Sequence, residues 1–254
     1  MVKIFLNGCS GRMGKAIAAM CKNNDDFRVV AGCDVVKSDE LTFPVYENPN
    51  DCDVEFDAII DFSNAKAVPM ITQFAVSSGK PFVCCTTALT DDTIAGILEA
   101  SKTIPVFKSA NMSYGMNVLF ELVRQATKAL YPESDIEIVE AHHNRKLDAP
   151  SGTALMIADV ISEETDNALE YVYDRHSANK ARSKNELGIT SIRGGNIIGE
   201  HEVMFISDEE IVKISHSAQT RDVFGKGALT AAAFLVGKKP GYYSMQDIVA
   251  EAFK

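Results

Sequence analysis

Lys3–Ala16 reads KIFLNGCSGRMGKA and sets a glycine-rich turn between a strand-type run and a helical stretch. Lys3–Asn7 is a short apolar run of strand type, Gly8, Cys9, Ser10, Gly11, Arg12, Met13 and Gly14 follow without a break, and a helical stretch, Gly14–Asn23, opens where the glycines end. Glycines at the end of a strand let the backbone come close to a pyrophosphate. The helix behind them offers unpaired N–H groups and the positive end of its dipole. The spacing Gly-x-x-Gly-x-x-Gly is one residue longer than the common dinucleotide fingerprint, so the glycines alone also fit a plain tight turn. Asp34 supplies the other half of the pattern. It follows the next strand-type run, Phe27–Cys33, twenty residues beyond Gly14, where a carboxylate meets the ribose hydroxyls of an adenine dinucleotide.

Outward from this loop the chain alternates. Ala58–Phe62, Pro81–Thr86 and Ile104–Ser109 read as further strands, and Ala65–Ser78 and Asp91–Ser101 as helices between them. Such alternation predicts a parallel sheet covered on both faces, a Rossmann-type doubly wound α/β fold. Met116–Leu130 continues as a helix, and then the pattern changes. Asp135–Ala141 alternates like a strand, Ser151–Glu164 is helical, and Leu187–Arg193, Gly199–Ile206 and Ile211–His216 are strand-type runs in succession. Strands in succession predict a second α+β domain on an antiparallel or mixed sheet. Asp166–Asn185 is polar without a period and reads as a mobile surface loop. Phe224–Val236 and Ser244–Phe253 are helical again and are expected to cover the first domain, which gives residues 1–113 plus 223–254 for one domain and 114–222 for the other.

Bulk composition narrows the function. The net charge is −10 over 254 residues, which argues against nucleic acid or an anionic membrane as partner. No apolar run approaches the ~20 residues of a membrane span, and the N-terminus reads as a strand, not a signal peptide. Six cysteines without a Cys-x-x-Cys pair point away from zinc and, as free thiols, towards a reducing cytosol.

Against that acidic background, Glu140–Ala154 (EAHHNRKLDAPSGTA) gathers His142, His143, Arg145 and Lys146 ahead of a Pro-Ser-Gly-Thr break. A histidine here suits acid/base work, and Lys146 adds a proton donor and a charge that neutralises an anionic intermediate. Ser151, Gly152 and Thr153 open a helix whose first N–H groups can receive a carboxylate. Adjacent histidines on a strand point to different sides, which excludes joint chelation, and no metal site is expected. Each piece alone also fits an ordinary capped, solvated loop. Together they read as a receptor for a small polyanion. Glu140 and Asp148 complicate a purely cationic picture; Asp148 either orients Lys146 or a histidine or simply lowers the local charge. Arg193 and His201, at strand ends, read as surface or structural residues. Cys85, Thr86 and Thr87, and Ser109, Ala110, Asn111 and Met112, end strands where ligands of open α/β sheets bind, and suit a nicotinamide and its ribose as well as they suit ordinary loops. Asp34 favours the free 2′-hydroxyl of NADH and repels the 2′-phosphate of NADPH. Lys37 offsets that repulsion if its loop folds back, so NADH comes first and NADPH second.

With these motifs placed, the chain resembles the dihydrodipicolinate reductases. The resemblance rests on GCSGRMG, on DFS at Asp61–Ser63, on CTT at Cys85–Thr87 and on SANMSYGMN at Ser109–Asn117. It continues through EAHHNRKLDAPSGTA, RGGNIIGEH at Arg193–His201 and TRDVFGKGAL at Thr220–Leu229, in the family's order over nearly the whole chain. It implies NAD(P)H-dependent reduction of a small dicarboxylate heterocycle, 4-hydroxy-tetrahydrodipicolinate, in a homotetramer built on the second domain's sheets. By the same resemblance His142 is the proton donor/acceptor, Lys146 a proton donor, and His143, Gly152 and Thr153 hold the substrate. Gly8–Met13, Asp34, Cys85–Thr87 and Ser109–Met112 match the cofactor contacts. The family's Gly-Thr-Thr-Gly is here Cys85-Thr86-Thr87-Ala88, and Asp34 lacks the following Arg that similar proteins use for a 2′-phosphate. Two rival readings are another Rossmann-fold amino-acid or semialdehyde dehydrogenase, and a non-catalytic NADH-binding protein. The first leaves Lys146 beside Ser151–Thr153 unexplained, and the intact His142 and Lys146 speak against the second.

Overall fold

Ile4, Phe5 and Leu6 are all fully buried, as required of a strand with helices on both sides. They belong to β1 (Val2–Asn7) of a computed structural model that describes residues 1–36, 38–176 and 178–253. Lys37, weighed above for cofactor choice, lies outside the described residues. The chain divides into two units, Met1–Tyr114 with Asp222–Lys254, and Gly115–Arg221.

In the first unit β1 is followed by α1 (Arg12–Cys21), β2 (Phe27–Cys33), β3 (Val45–Tyr46) and a 3-10 turn at Pro49–Asp51. Then come β4 (Ala58–Asp61), α2 (Val68–Ser78), β5 (Phe82–Cys84), α3 (Asp91–Ala100), β6 (Pro105–Lys108) and the start of α4 (Tyr114–Leu130). The strands form one parallel sheet in the order β12-β6-β5-β4-β1-β2-β3, completed at one edge by β12 (Gly241–Tyr243) from the C-terminal segment. Alternate residues supply two cores. Ile4, Leu6, Ile60, Val83 and Phe107 pack with Ile17 of α1 and with Ala228, Leu229, Ala232 and Leu235 of the helix Asp222–Leu235. Phe5, Ala31, Ile59, Phe82 and Val106 face Val68, Ile71 and Phe74 of α2 and Ile97 of α3. The strand order reverses between β1 and β4, which is where open α/β sheets bind ligands.

The second unit holds α4 from Gly115 onward, β7 (Asp135–His142), α5 (Gly152–Glu164), β8 (Glu170–Val172), β9 (Glu186–Arg193), β10 (Glu200–Ile206) and β11 (Ile211–Ser217). Its sheet runs β11-β10-β7-β9-β8, parallel between β7, β9 and β8 and antiparallel through β10 and β11. Ile136, Ile138, Leu187, Ile189, Val203 and Phe205 line the face that packs on α4 and α5. The remaining elements, α6 (Asp222–Leu235), β12 and α7 (Met245–Ala252), return to the first unit.

One expectation is corrected. Asp166–Asn185 is not all loop: Glu170–Val172 pairs with β9, and Arg182 fastens the segment to Asp135 at 2.8 Å and to Glu137 at 3.1 Å. Arg175 adds ion pairs to Glu137 and Glu186. A three-residue strand is too short to show a period, and β3 and β12 escape the sequence for the same reason.

Candidate active site

The sheet of the second unit explains how distant residues meet. Along β7 the inward line reads Ile136, Ile138, Glu140, His142, because alternate side chains share a face. On β9 the partners of these four are Leu187, Ile189, Ser191 and Arg193. On β10 the corresponding line is Phe205, Val203 and His201, and His216 of β11 pairs with His201. Two apolar rows therefore form core under the helices. The next row, His216–His201–Glu140–Ser191, turns polar at one end of the sheet.

Glu140 is fully buried and its carboxylate is crowded with donors. Arg193 donates to both oxygens, at 2.8 and 2.6 Å, the Ser151 N–H donates at 3.1 Å, and Nδ1 of His142 lies 2.6 Å from Oε2. Burial pushes this carboxyl up, but hydrogen bonds from Arg193, Ser191, His142 and Ser151 outweigh it and hold it down at about 2. His142 is buried, and its ring meets that of His201 edge-on at 5.3 Å. His201 is pushed down to about 4, by burial first and then by His142, His216 and Lys146. It is neutral near pH 7 and sits 3.1 Å from the Ser151 hydroxyl.

The loop after β7 carries the other candidates. Lys146 pairs with Asp148 at 2.9 Å, which holds the Asp148 carboxyl below its usual range. His143 is half-buried, and burial together with the charges of Arg145 and Arg221 pushes it below its ordinary value. Among the described residues nothing hydrogen-bonds its buried Nδ1. Gly194 donates to the His142 carbonyl at 2.9 Å, and Arg193 to that of Asp148 at 2.8 Å, so the loop is laced to the turn after β9. Ser151 is the N-cap of α5 and accepts from the Ala154 N–H at 3.1 Å. Gly152 and Thr153 occupy the first helical positions of α5.

The first unit gathers the other set at the carboxyl ends of its strands. Gly8 has φ +76, and a Cβ there would lie 2.6 Å from the Phe62 carbonyl oxygen. A Cβ on Gly14 would lie 2.3 Å from the Gly8 oxygen, so only glycines allow this loop. Gly11 caps α1 without a side-chain bond, which keeps the helix start bare for an anion. Ser10 donates its N–H to Asp34 at 2.9 Å, and this ties the acid to the glycine loop. The cradle therefore fits a dinucleotide. Arg12, Thr87 and Ala110 are exposed, and Met13, Cys85, Ser109 and Asn111 half-buried. Cys9 and Met112 turn their side chains into the core, so only their backbones remain for a ligand. Thr86 is buried and donates to Asp61 at 2.7 Å, while Lys108 donates to the Thr86 carbonyl at 3.2 Å. Ala88 stands at φ +55, a conformation natural to the glycine of similar proteins.

Three residues escaped the sequence reading. Arg193 and His201, set aside as surface or structural, join Glu140 and Ser151. Asp61, quoted only as part of a motif, binds Asn7, Ser63 and Thr86. No group of three or more potential metal ligands occurs among the described residues, and no described helix is long and apolar enough to cross a membrane.

A parallel sheet with a glycine cradle at its switch point, joined in sequence to a histidine-bearing mixed sheet, defines an oxidoreductase that uses a pyridine nucleotide. Comparison with known proteins narrows the class. The models for the N-terminal and C-terminal parts of dihydrodipicolinate reductase match residues 2–112 and 115–249, and the chain belongs to that family. It is 50% identical to the 4-hydroxy-tetrahydrodipicolinate reductase of Caldanaerobacter subterraneus subsp. tengcongensis, over 98% of each chain. It is 45% identical to that of Clostridium tetani over 96% of each. Among solved structures, dipicolinate-bound dihydrodipicolinate reductase from Paenisporosarcina sp. TG-14 matches with a TM-score of 0.82 at 22% identity, covering 98% of this chain and 99% of that one. A myo-inositol dehydrogenase from Corynebacterium glutamicum shares the fold with a TM-score of 0.58 at 13% identity, over 95% of this chain and 90% of that one. The chain is an oxidoreductase of diaminopimelate and lysine biosynthesis.

Proposed function

We propose that the chain reduces 4-hydroxy-tetrahydrodipicolinate to tetrahydrodipicolinate, taking a hydride and a proton and releasing water. The observation that carries this reading is His142, seated on an ionised Glu140 at the end of the sheet, a few residues from Lys146 and the Gly152–Thr153 helix start. The reduced nicotinamide supplies the hydride when bound. His142 and Lys146 handle the proton. His143, Gly152 and Thr153 hold the substrate carboxylates, and the first turn of α5 favours that negative charge.

NADH is the preferred donor and NADPH the lesser one, because Asp34 presents a carboxylate where a 2′-phosphate would sit. Gly8–Met13 and Asp34 hold the adenine half, and Cys85–Thr87 with Ser109–Met112 the nicotinamide half. The enzyme works as a cytosolic homotetramer, without nucleic acid or membrane as partner. Its six free thiols support that compartment; burial pushes those of Cys9 to about 11 and Cys33 and Cys84 to about 12.

The test is oxidation of NADH and of NADPH with freshly made 4-hydroxy-tetrahydrodipicolinate, beside unrelated keto acids. His142→Ala and Lys146→Ala should each lose about 100-fold or more in kcat and still bind NADH. No turnover of this substrate by the wild type, or near-normal turnover in both variants, overturns the reading. Asp34→Ala should narrow the NADH-to-NADPH ratio of kcat/KM; an unchanged ratio refutes the role given to Asp34.

A further inference from the structure

Glu140 is a buried carboxylate that the reaction does not itself require, yet it touches the proton-handling histidine and the helix that opens the substrate-holding segment. Its two oxygens face the Arg193 guanidinium in a paired geometry, which keeps it an anion. An anionic carboxylate only accepts hydrogen bonds. The 2.6 Å contact with His142 Nδ1 therefore places a proton on Nδ1, and the lone pair of the neutral ring falls on Nε2. The space beside Nε2 is kept by Gly199, where a Cβ would stand 3.1 Å from that nitrogen.

We propose that Glu140 is a positioning residue for the reductase: anchored by Arg193 and the Ser151 N–H, it fixes His142 as the Nδ1–H tautomer and supports its charge when Nε2 takes a proton. This rests on the reading of His142 as the acid/base group. Charged and titratable groups face His142 from each neighbouring element. Arg193 comes from β9, His201 from β10 with His216 behind it on β11, and Lys146 and Asp148 from the following loop. Of these neighbours Glu140 bonds the ring itself, while α5 presents the Ser151 N–H to Glu140.

Glu140→Gln separates positioning from folding. The amide oxygen can keep the Ser151 N–H, whereas the amide nitrogen turned to His142 donates to Nδ1 and drives the ring to the opposite tautomer. The kcat should fall by about 10–100-fold with the KM of substrate and the binding of NADH little changed. The limb of the kcat/KM pH profile that reports His142 should move down by about one unit or more, because an anion is lost and Arg193 is left unpaired beside the ring. An unmoved profile with kcat within about two-fold of wild type, or a loss confined to KM, overturns the proposal. Should the variant fail to fold, nitrogen-15 NMR of the wild type decides, with the His142 signals assigned by their loss in His142→Gln. A neutral His142 protonated on Nδ1 is expected, and one protonated on Nε2 overturns the proposal. Near-normal turnover by His142→Ala overturns the acid/base reading and the proposal with it. An inactive His142→Ala beside an unaffected Glu140→Gln overturns the proposal alone.

Discussion

Asp61 and Glu140 are both fully buried carboxylates at strand ends, one in each unit, and they carry their charge differently. Asp61 meets neutral donors: Asn7 at 2.7 Å, Thr86 at 2.7 Å and the Ser63 N–H at 3.2 Å. Burial raises its pKa, and these bonds do not undo the rise. Glu140 meets a guanidinium among its donors, and its pKa falls to about 2. Neutral donors hold a carboxylate in place; a fixed cation also keeps it ionised. Asp61 therefore serves as a joint that ties β1, the turn after β4 and the loop after β5 at the switch point. Glu140 offers a permanent charge to a histidine.

The comparison breaks most readily at Arg193. Arg193→Ala leaves a buried carboxylate without its cation and should cost about 3–5 kcal/mol in denaturant unfolding. Thr86→Val removes one neutral donor from Asp61 and should cost about 1–3 kcal/mol. Equal losses in the two variants would erase the distinction.

Acid titration sharpens it. A carboxyl whose folded pKa is depressed contributes stability that is present above its ordinary value of 4.5 and lost as pH falls towards about 2. Glu140→Gln should therefore lose part of the wild-type acid dependence in that window, up to about 1.4 kcal/mol per pH unit. Asp61 is raised, so its contribution is present below 3.8 and declines as pH rises through its folded value. Asp61→Asn should thus gain on the wild type as pH rises, the opposite slope. Parallel slopes in thermal or denaturant unfolding from pH 2 upward would contradict the assignment.

The smallest effect belongs to Ala88. At φ +55 the side chain is strained, and Ala88→Gly relieves that strain while loosening the unfolded chain. The two terms nearly offset, and Tm should shift by no more than a few degrees, as for a change of about 1 kcal/mol.

What was legible in the sequence follows the same division. The glycine loop and Asp34 are legible because a strand, a turn and a helix in direct succession carry their geometry locally. His142, Lys146 and the Ser151–Thr153 helix start stood out as a contiguous cluster, though their separate roles came only through family resemblance. Arg193 and His201 read as surface or structural residues because a strand-end Arg or His is more often one of these than part of a site. Their places depend on β9 and β10 pairing with β7 in one register, and Arg193 lies 53 residues from Glu140. No local pattern records that pairing. Glu140 lay inside the cluster yet read as a complication, since a carboxylate in sequence beside histidines has no fixed partner until the sheet forms.

Period, glycine spacing and strand order are properties of neighbouring residues, so a parallel α/β unit with a dinucleotide loop ahead of a histidine-bearing mixed sheet is legible in the chain alone. The folded sheet alone brings a cation to Glu140, turns Nδ1 of His142 towards that carboxylate, and puts Arg193 behind it. Burial and register set those facts, and both arise only when strands far apart in the chain lie side by side.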